Sequence, residues 1–140
     1  METAVQVDVA GSAGSARRRA GARVTITLVL VGIAVARGDL ALDDRVSTHL
    51  GPGWTGRDDV ATEAEITVEH LLTMTSGLGD AFESVAKPGE RWDYNLVVYP
   101  TTKRVLRAAT NRALEDITAE WITDPLGMTD TTWQPRVWND

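Results

Sequence analysis

Apolar residues fall along this chain in a few short, separated sets. The densest is Val24 to Ala36 (VTITLVLVGIAVA), thirteen residues of mostly apolar or small type. That is too short to span a bilayer, which needs about 20 residues. Gly38 follows, a residue type suited to the position just past a helix C-terminus, so the run predicts a buried helix ending there. On the residues alone a second reading stays open. Arg17 to Arg19, the apolar run and Ala34-Val35-Ala36 together imitate an export signal over residues 17–36. Upstream, residues 1–23 are rich in Gly, Ala, Ser and Arg without an apolar period, and they are predicted to be disordered.

The remaining sets read as short helices joined by loops. Asp43 is placed to cap a short turn through Val46 to Leu50. Gly51 to Thr62 (GPGWTGRDDVAT) is a turn-rich connection. Thr67 is a good N-cap for Val68 to Thr73, with Glu69 in the first turn and Val68, Leu71 and Leu72 as the apolar face. Gly77 and Gly79 end that helix, and Ala81 to Trp92 reads as a loop. From Thr101 to Ile122, Leu106, Ala109, Ala113, Ile117 and Trp121 recur at three or four positions. Thr110 and Asn111 divide this stretch into two helices, with Asn111 as the expected cap of the second and Pro125 as its stop.

Composition narrows the chemistry. The chain has 140 residues, of which 43% are hydrophobic and 24% charged, which fits one globular domain. Zero Cys excludes disulfides, thiolate-bound zinc, iron–sulfur clusters and a Cys nucleophile. His49 and His70 are too few and too far apart in sequence for a His-based metal site, and neither a metal nor another cofactor is expected. The first 37 residues carry a net +3 and the rest −9. An acidic body of that kind does not suit phosphate backbones, so no nucleic-acid partner is expected despite the Arg17-Arg18-Arg19 run.

Four segments then occur in order: Gly38 to Val46 (GDLALDDRV), Ile66 to Leu78 (ITVEHLLTMTSGL), Pro88 to Asn95 (PGERWDYN) and Pro125 to Thr131 (PLGMTDT). Together they resemble the beta-lactamase-related serine hydrolases, which include class C beta-lactamases, penicillin-binding proteins, D-Ala-D-Ala carboxypeptidases and esterases. The resemblance covers roughly residues 28–134 and favours the buried helix over the export signal. It implies a mostly α fragment of the α+β beta-lactamase/transpeptidase-like fold, in residues 24–140. The helical subdomain would be largely present and the antiparallel sheet largely missing. It also implies a small amide or ester substrate, opened by a Ser whose proton passes to a Lys one helical turn away. A Tyr shares that proton traffic, and backbone N–H groups hold the oxyanion.

Most of that machinery has no match here. The Ser-x-x-Lys motif should fall near residues 21–24, which are Gly21, Ala22, Arg23 and Val24. Ser15 is followed by Arg18, and an Arg stays protonated and cannot act as the base. Ser84 and Lys87 have the spacing, but Pro88 pushes Lys87 out of helical geometry. Ser76 and Ser47 are followed at the third position by Gly79 and Leu50. No Lys- or His-Thr/Ser-Gly triplet follows Tyr94. His70 and Met74 read as structural, and Asp43-Asp44 as a helix cap. Tyr94, within Trp92-Asp93-Tyr94-Asn95, is the one catalytic position that matches; Leu96 stands where the commonest motif has Asn. The expectation is a chain inactive by itself and marginally stable. Leu106, Ile117, Trp121, Trp54, Trp92, Trp133 and Trp138 would form apolar faces open to association. The compartment stays open, with the cytoplasm slightly favoured over export.

Overall fold

The structure, a computed structural model, describes residues 3–7 and 14–135, and the side chains of residues 21–134. The chain is mostly helical. It divides into two compact units, the first formed by residues 1–33 and 112–140 and the second by residues 34–111.

A strand, β1 (Thr3–Val7), and a 24-residue helix, α1 (Gly14–Arg37), occupy much of the segment expected to be disordered. Residues 8–13 of that segment lie outside the described residues. The helix begins upstream of the apolar run because residues 15–23 are dominated by Ala and Arg, both strong helix formers. In the first unit α1 buries Ile26, Thr27, Leu30 and Val31. Helix α6 (Leu114–Thr118) runs directly into a π-helical turn, Ala119–Thr123, and buries Leu114 and Ile117. Strand β2 (Thr131–Pro135) pairs antiparallel with β1, Val5 opposite Trp133. Trp133 is buried, and its Nε1–H donates to Thr118 Oγ1 at 2.8 Å.

In the second unit α1 ends as the sequence predicts. Gly38 takes φ +80°, its N–H donates to Val35 C=O, and the Asp39 N–H donates to Ala34 C=O. This pair of bonds closes the last helical turn through a left-handed residue that glycine adopts without penalty. Four helices follow: α2 (Val46–Leu50), α3 (Val60–Glu63), α4 (Val68–Leu72) and α5 (Thr101–Thr110). Helix α5 packs against α2 and α4 around Val46, Val68, Leu71, Val105 and Leu106. An antiparallel bridge, Arg45 to Thr67, ties the starts of α2 and α4, with Val46 N–H on Ile66 C=O and Val68 N–H on Asp44 C=O, both at 2.9 Å.

Thr67 caps α4 as predicted, within a reciprocal box. Its Oγ1 accepts from the His70 N–H, and its own N–H donates to His70 Nδ1. Two other caps differ from expectation. Asp43 caps nothing; the residue before α2 is Arg45, and Asp44 instead accepts from the Ala41 N–H at 2.9 Å and meets His49 Nε2 at 2.9 Å. Asn111 closes α5 rather than opening α6. It adopts the left-handed conformation at φ 51°, which Asn tolerates better than most residues, and Ala113 precedes α6. Pro100 sits just before α5, where its missing N–H costs no helical bond.

Of the apolar side chains expected to be open, Leu106, Ile117, Trp54 and Trp133 are buried, and Trp121 is half-buried. Trp92 is exposed, and Trp138 lies outside the described residues. Among the described residues no helix is long and apolar enough to cross a membrane.

Candidate functional site

The chain leaving α4 turns at Met74, which takes φ 57°, and makes a long excursion that returns at Asp93. Main-chain bonds strap the two legs together. Met74 C=O accepts from the Asp93 N–H at 3.0 Å, and Thr75 C=O from the Gly89 N–H at 2.7 Å. Gly77 C=O accepts from the N–H groups of Val85 and Ala86, and Glu83 C=O from the Gly79 N–H. Leu78 and Ser84 form an antiparallel bridge inside this loop. Gly77 is required at φ +77°, where a Cβ would overlap the carbonyl of Ala86.

The tip of the loop is held from a second side. Phe82 stands edge-on to Trp54, ring centroids 6.4 Å apart. Arg57 donates from Nε and Nη2 to Ala81 C=O at 2.8 and 2.6 Å. The segment carrying Trp54 and Arg57 is itself fixed by Glu63. That carboxylate is only 2% exposed and accepts from the Gly53 N–H, the Thr55 N–H and the Thr55 hydroxyl at 2.7, 3.1 and 2.6 Å. Burial pushes the Glu63 carboxyl up, and the bonds from Thr55, Gly53 and Trp54 outweigh it, leaving the group below its ordinary value. Its surroundings therefore suit an anion that organises a loop, not a proton donor.

Tyr94 follows the foot of this loop. Its ring is 57% exposed and lies 6.4 Å from the Trp92 ring, tilted by 36°. Asn95 anchors the chain beneath it. The Asn95 side chain is buried; Nδ2 donates to Leu78 C=O, and Oδ1 accepts from the Val97 and Val98 N–H groups at 2.8 and 2.9 Å. The tyrosine thus stands between two backbone points held by hydrogen bonds, Asp93 and Asn95, and is largely exposed.

The other candidates have the following settings. Ser84 lies in the extended bridge to Leu78, not on a helix, and Lys87 precedes the Pro88-Gly89 turn, so the one-turn Ser–Lys alignment does not form. Ser76 is buried, and its Oγ accepts from the Leu78 N–H at 3.3 Å. It lines a cavity of about 10 Å³ with Leu71, Asn95 and Tyr99, space for at most one water. His70 belongs to the α4 cap, and its ring lies against Gly89, where a Cβ would come within 3.3 Å of Nε2. Ser47 sits within α2. Ser15 and Arg18 fall inside α1, where side chains are not described. Among the described residues no three His, Asp or Glu side chains gather as metal ligands would.

Lys103 and Tyr99, like Glu63, are buried polar groups that the sequence pattern does not single out. Lys103, 3% exposed on α5, stands on a face whose other members are apolar or Thr. The Tyr99 hydroxyl is pushed up to about 12 by burial. The weak signal for Lys103 is its place in the Tyr99, Lys103 and Leu106 period, where a charge breaks the apolar pattern.

Residues 25–137 match the beta-lactamase family. Two solved structures share the fold. A candidate beta-lactamase from Bacteroides dorei is 26% identical, with a TM-score of 0.63 over 74% of this chain and 36% of that one. An octameric penicillin-binding protein homologue from Pyrococcus abyssi is 24% identical, with a TM-score of 0.62 over 76% of this chain and 30% of that one. The chain therefore spans about a third of the length of each. No curated protein matches it.

Proposed function

The chain belongs to the beta-lactamase family, and from that premise we propose that it represents the helical part of an acyl-transfer serine hydrolase. The reaction implied by the family is opening of a small amide or ester through an acyl-serine. In this reading Tyr94 is the member of the catalytic set that these 140 residues carry, and the polypeptide by itself does not turn over substrate. The observation that carries the second half is the conformation of Ser84 and Lys87, the one Ser-x-x-Lys in the sequence. The serine lies in an extended bridge and the lysine precedes a proline turn. General-base activation needs the two side chains on one helical face.

The test is direct. Incubated with a chromogenic cephalosporin and with a p-nitrophenyl ester, the purified chain is expected to match the buffer blank. Turnover that disappears in Ser84→Ala or Ser76→Ala would overturn the proposal. A second reading, a non-catalytic interaction module, is supported by the exposure of Trp92, Tyr94, Leu96 and Val97 on one short segment. It requires the double variant Trp92→Ser/Tyr94→Ser to reduce self- or partner association in sedimentation.

A further inference from the structure

Four N–H groups open α4, and each has a partner. Val68 N–H donates to Asp44 C=O and Glu69 N–H to Leu42 C=O, both at 2.9 Å, and His70 N–H donates to Thr67 Oγ1 at 3.3 Å. The fourth, Thr67 N–H, donates to His70 Nδ1 at 3.1 Å. Of these four acceptors only the ring nitrogen can take up a proton. To accept a hydrogen bond it must be bare, which puts the imidazole hydrogen on Nε2.

The same residue is tied to the loop that follows. His70 C=O accepts from the Thr75 N–H at 2.9 Å, and Thr75 C=O accepts from the Gly89 N–H at 2.7 Å. The ring itself lies where a side chain at position 89 would stand, since a Cβ there would come within 3.3 Å of Nε2. The α4 cap and the Pro88-Gly89 turn thus share one imidazole. The charged groups on the elements around it are Asp44 and Arg45 on the segment bridged to Thr67, Glu69 on α4, Lys87 and Glu90 beside the turn, and Asp93 where the loop returns. Among the described residues none of them forms an ion pair with the ring.

We propose that His70 is a pH-operated latch joining the α4 cap to the Gly89 turn. Imidazole gains its second ring proton between about pH 8 and 5. A proton on Nδ1 sets one N–H against another, so the reciprocal box opens and the ring leaves Gly89. The loop that leads to Tyr94 then loosens at its Gly89 strap. His49 works the other way, because its protonation adds charge to its bond with Asp44. The two histidines offset each other in global stability, so the latch shows in local protection. It does not depend on Tyr94 taking part in acyl transfer.

NMR of the full chain tests it. At pH 8 the nitrogen-15 spectrum is expected to show His70 as the Nε2–H tautomer. Between pH 8 and 5.5 the hydrogen-exchange protection factors of the Thr67 and Gly89 amides should both fall about fivefold, the worth of one capping bond, while that of Leu106 in α5 holds. His70→Gln supplies the usual partner in such a box without a titrating group, and both amides should then stay protected across the range. An Nδ1–H tautomer at pH 8, unchanged protection at either amide, or the same loss in His70→Gln would each overturn the proposal.

Discussion

A methyl group at position 77 has nowhere to go. The residue is in the left-handed region and faces the Ala86 carbonyl at overlap distance, whereas Gly38, at nearly the same φ, has open space around it. Gly38→Ala should therefore cost about 1 kcal/mol, the conformational penalty alone, and Gly77→Ala clearly more, about 3 kcal/mol, because the loop must also part. Urea denaturation of the two variants side by side checks the difference. Asn95 is the second sensitive position. Replacing it by Ala leaves a buried carbonyl and two N–H groups without partners, for an expected loss of about 2–3 kcal/mol and an unchanged denaturant slope. Neither role is legible in sequence. Gly77 reads only as a helix stop, and Asn95 as part of a tyrosine motif, because the Ala86 carbonyl that Gly77 faces and the Leu78 carbonyl that Asn95 holds are brought to them by the loop and not by local pattern.

At the level of elements, capping chemistry was readable where donor and acceptor are close in sequence. Thr67 and His70 sit three residues apart, and Gly38 follows an apolar run directly, so local pattern predicts both ends. Thr67→Ala and His70→Ala should each cost about 1 kcal/mol. Since both remove the same reciprocal box, the double variant should cost less than the sum; full additivity in the cycle would show two separate bonds instead. Reading failed where a residue type serves either end of a helix. Asn111 suits both an N-cap and a left-handed C-terminal position, and only the φ angle decides between them. The start of α1 was missed for another reason. Low apolar content argues for disorder, yet Ala and Arg carry high helix propensity whatever their polarity. Tyr94, by contrast, is singled out by its neighbours in sequence, while the loop that leads to it is not legible there.

On the scale of the whole molecule, acid response should follow the two depressed carboxyls among the described residues. Asp44 is lowered by its bond from the Ala41 N–H and by His49, and Glu63 by its loop bonds against burial. A carboxyl whose folded value lies below the unfolded one adds stability that is complete above the unfolded value and is lost as pH falls through the folded one. The ordinary values here are 3.8 and 4.5, so the urea midpoint should hold steady from pH 7 to about 5 and fall below that. Glu63→Gln should flatten this acid limb while lowering the plateau. An acid limb as steep in the variant as in the parent would remove Glu63 from the account. The burial of Leu106, Ile117, Trp54 and Trp133 gives the chain more interior than its sequence suggests, while Trp92 and Tyr94 are exposed, as is Leu126.

The straps between Met74 and Asp93 join peptide groups, not side chains. Bonds of that kind are blind to residue identity. Apart from its glycine hinges, the Phe82 ring against Trp54 and the buried Asn95 at its foot, the loop leaves most of its letters free to change while position 94 stays at the same spot, so the spacing between the two legs matters more than most of the side chains within them.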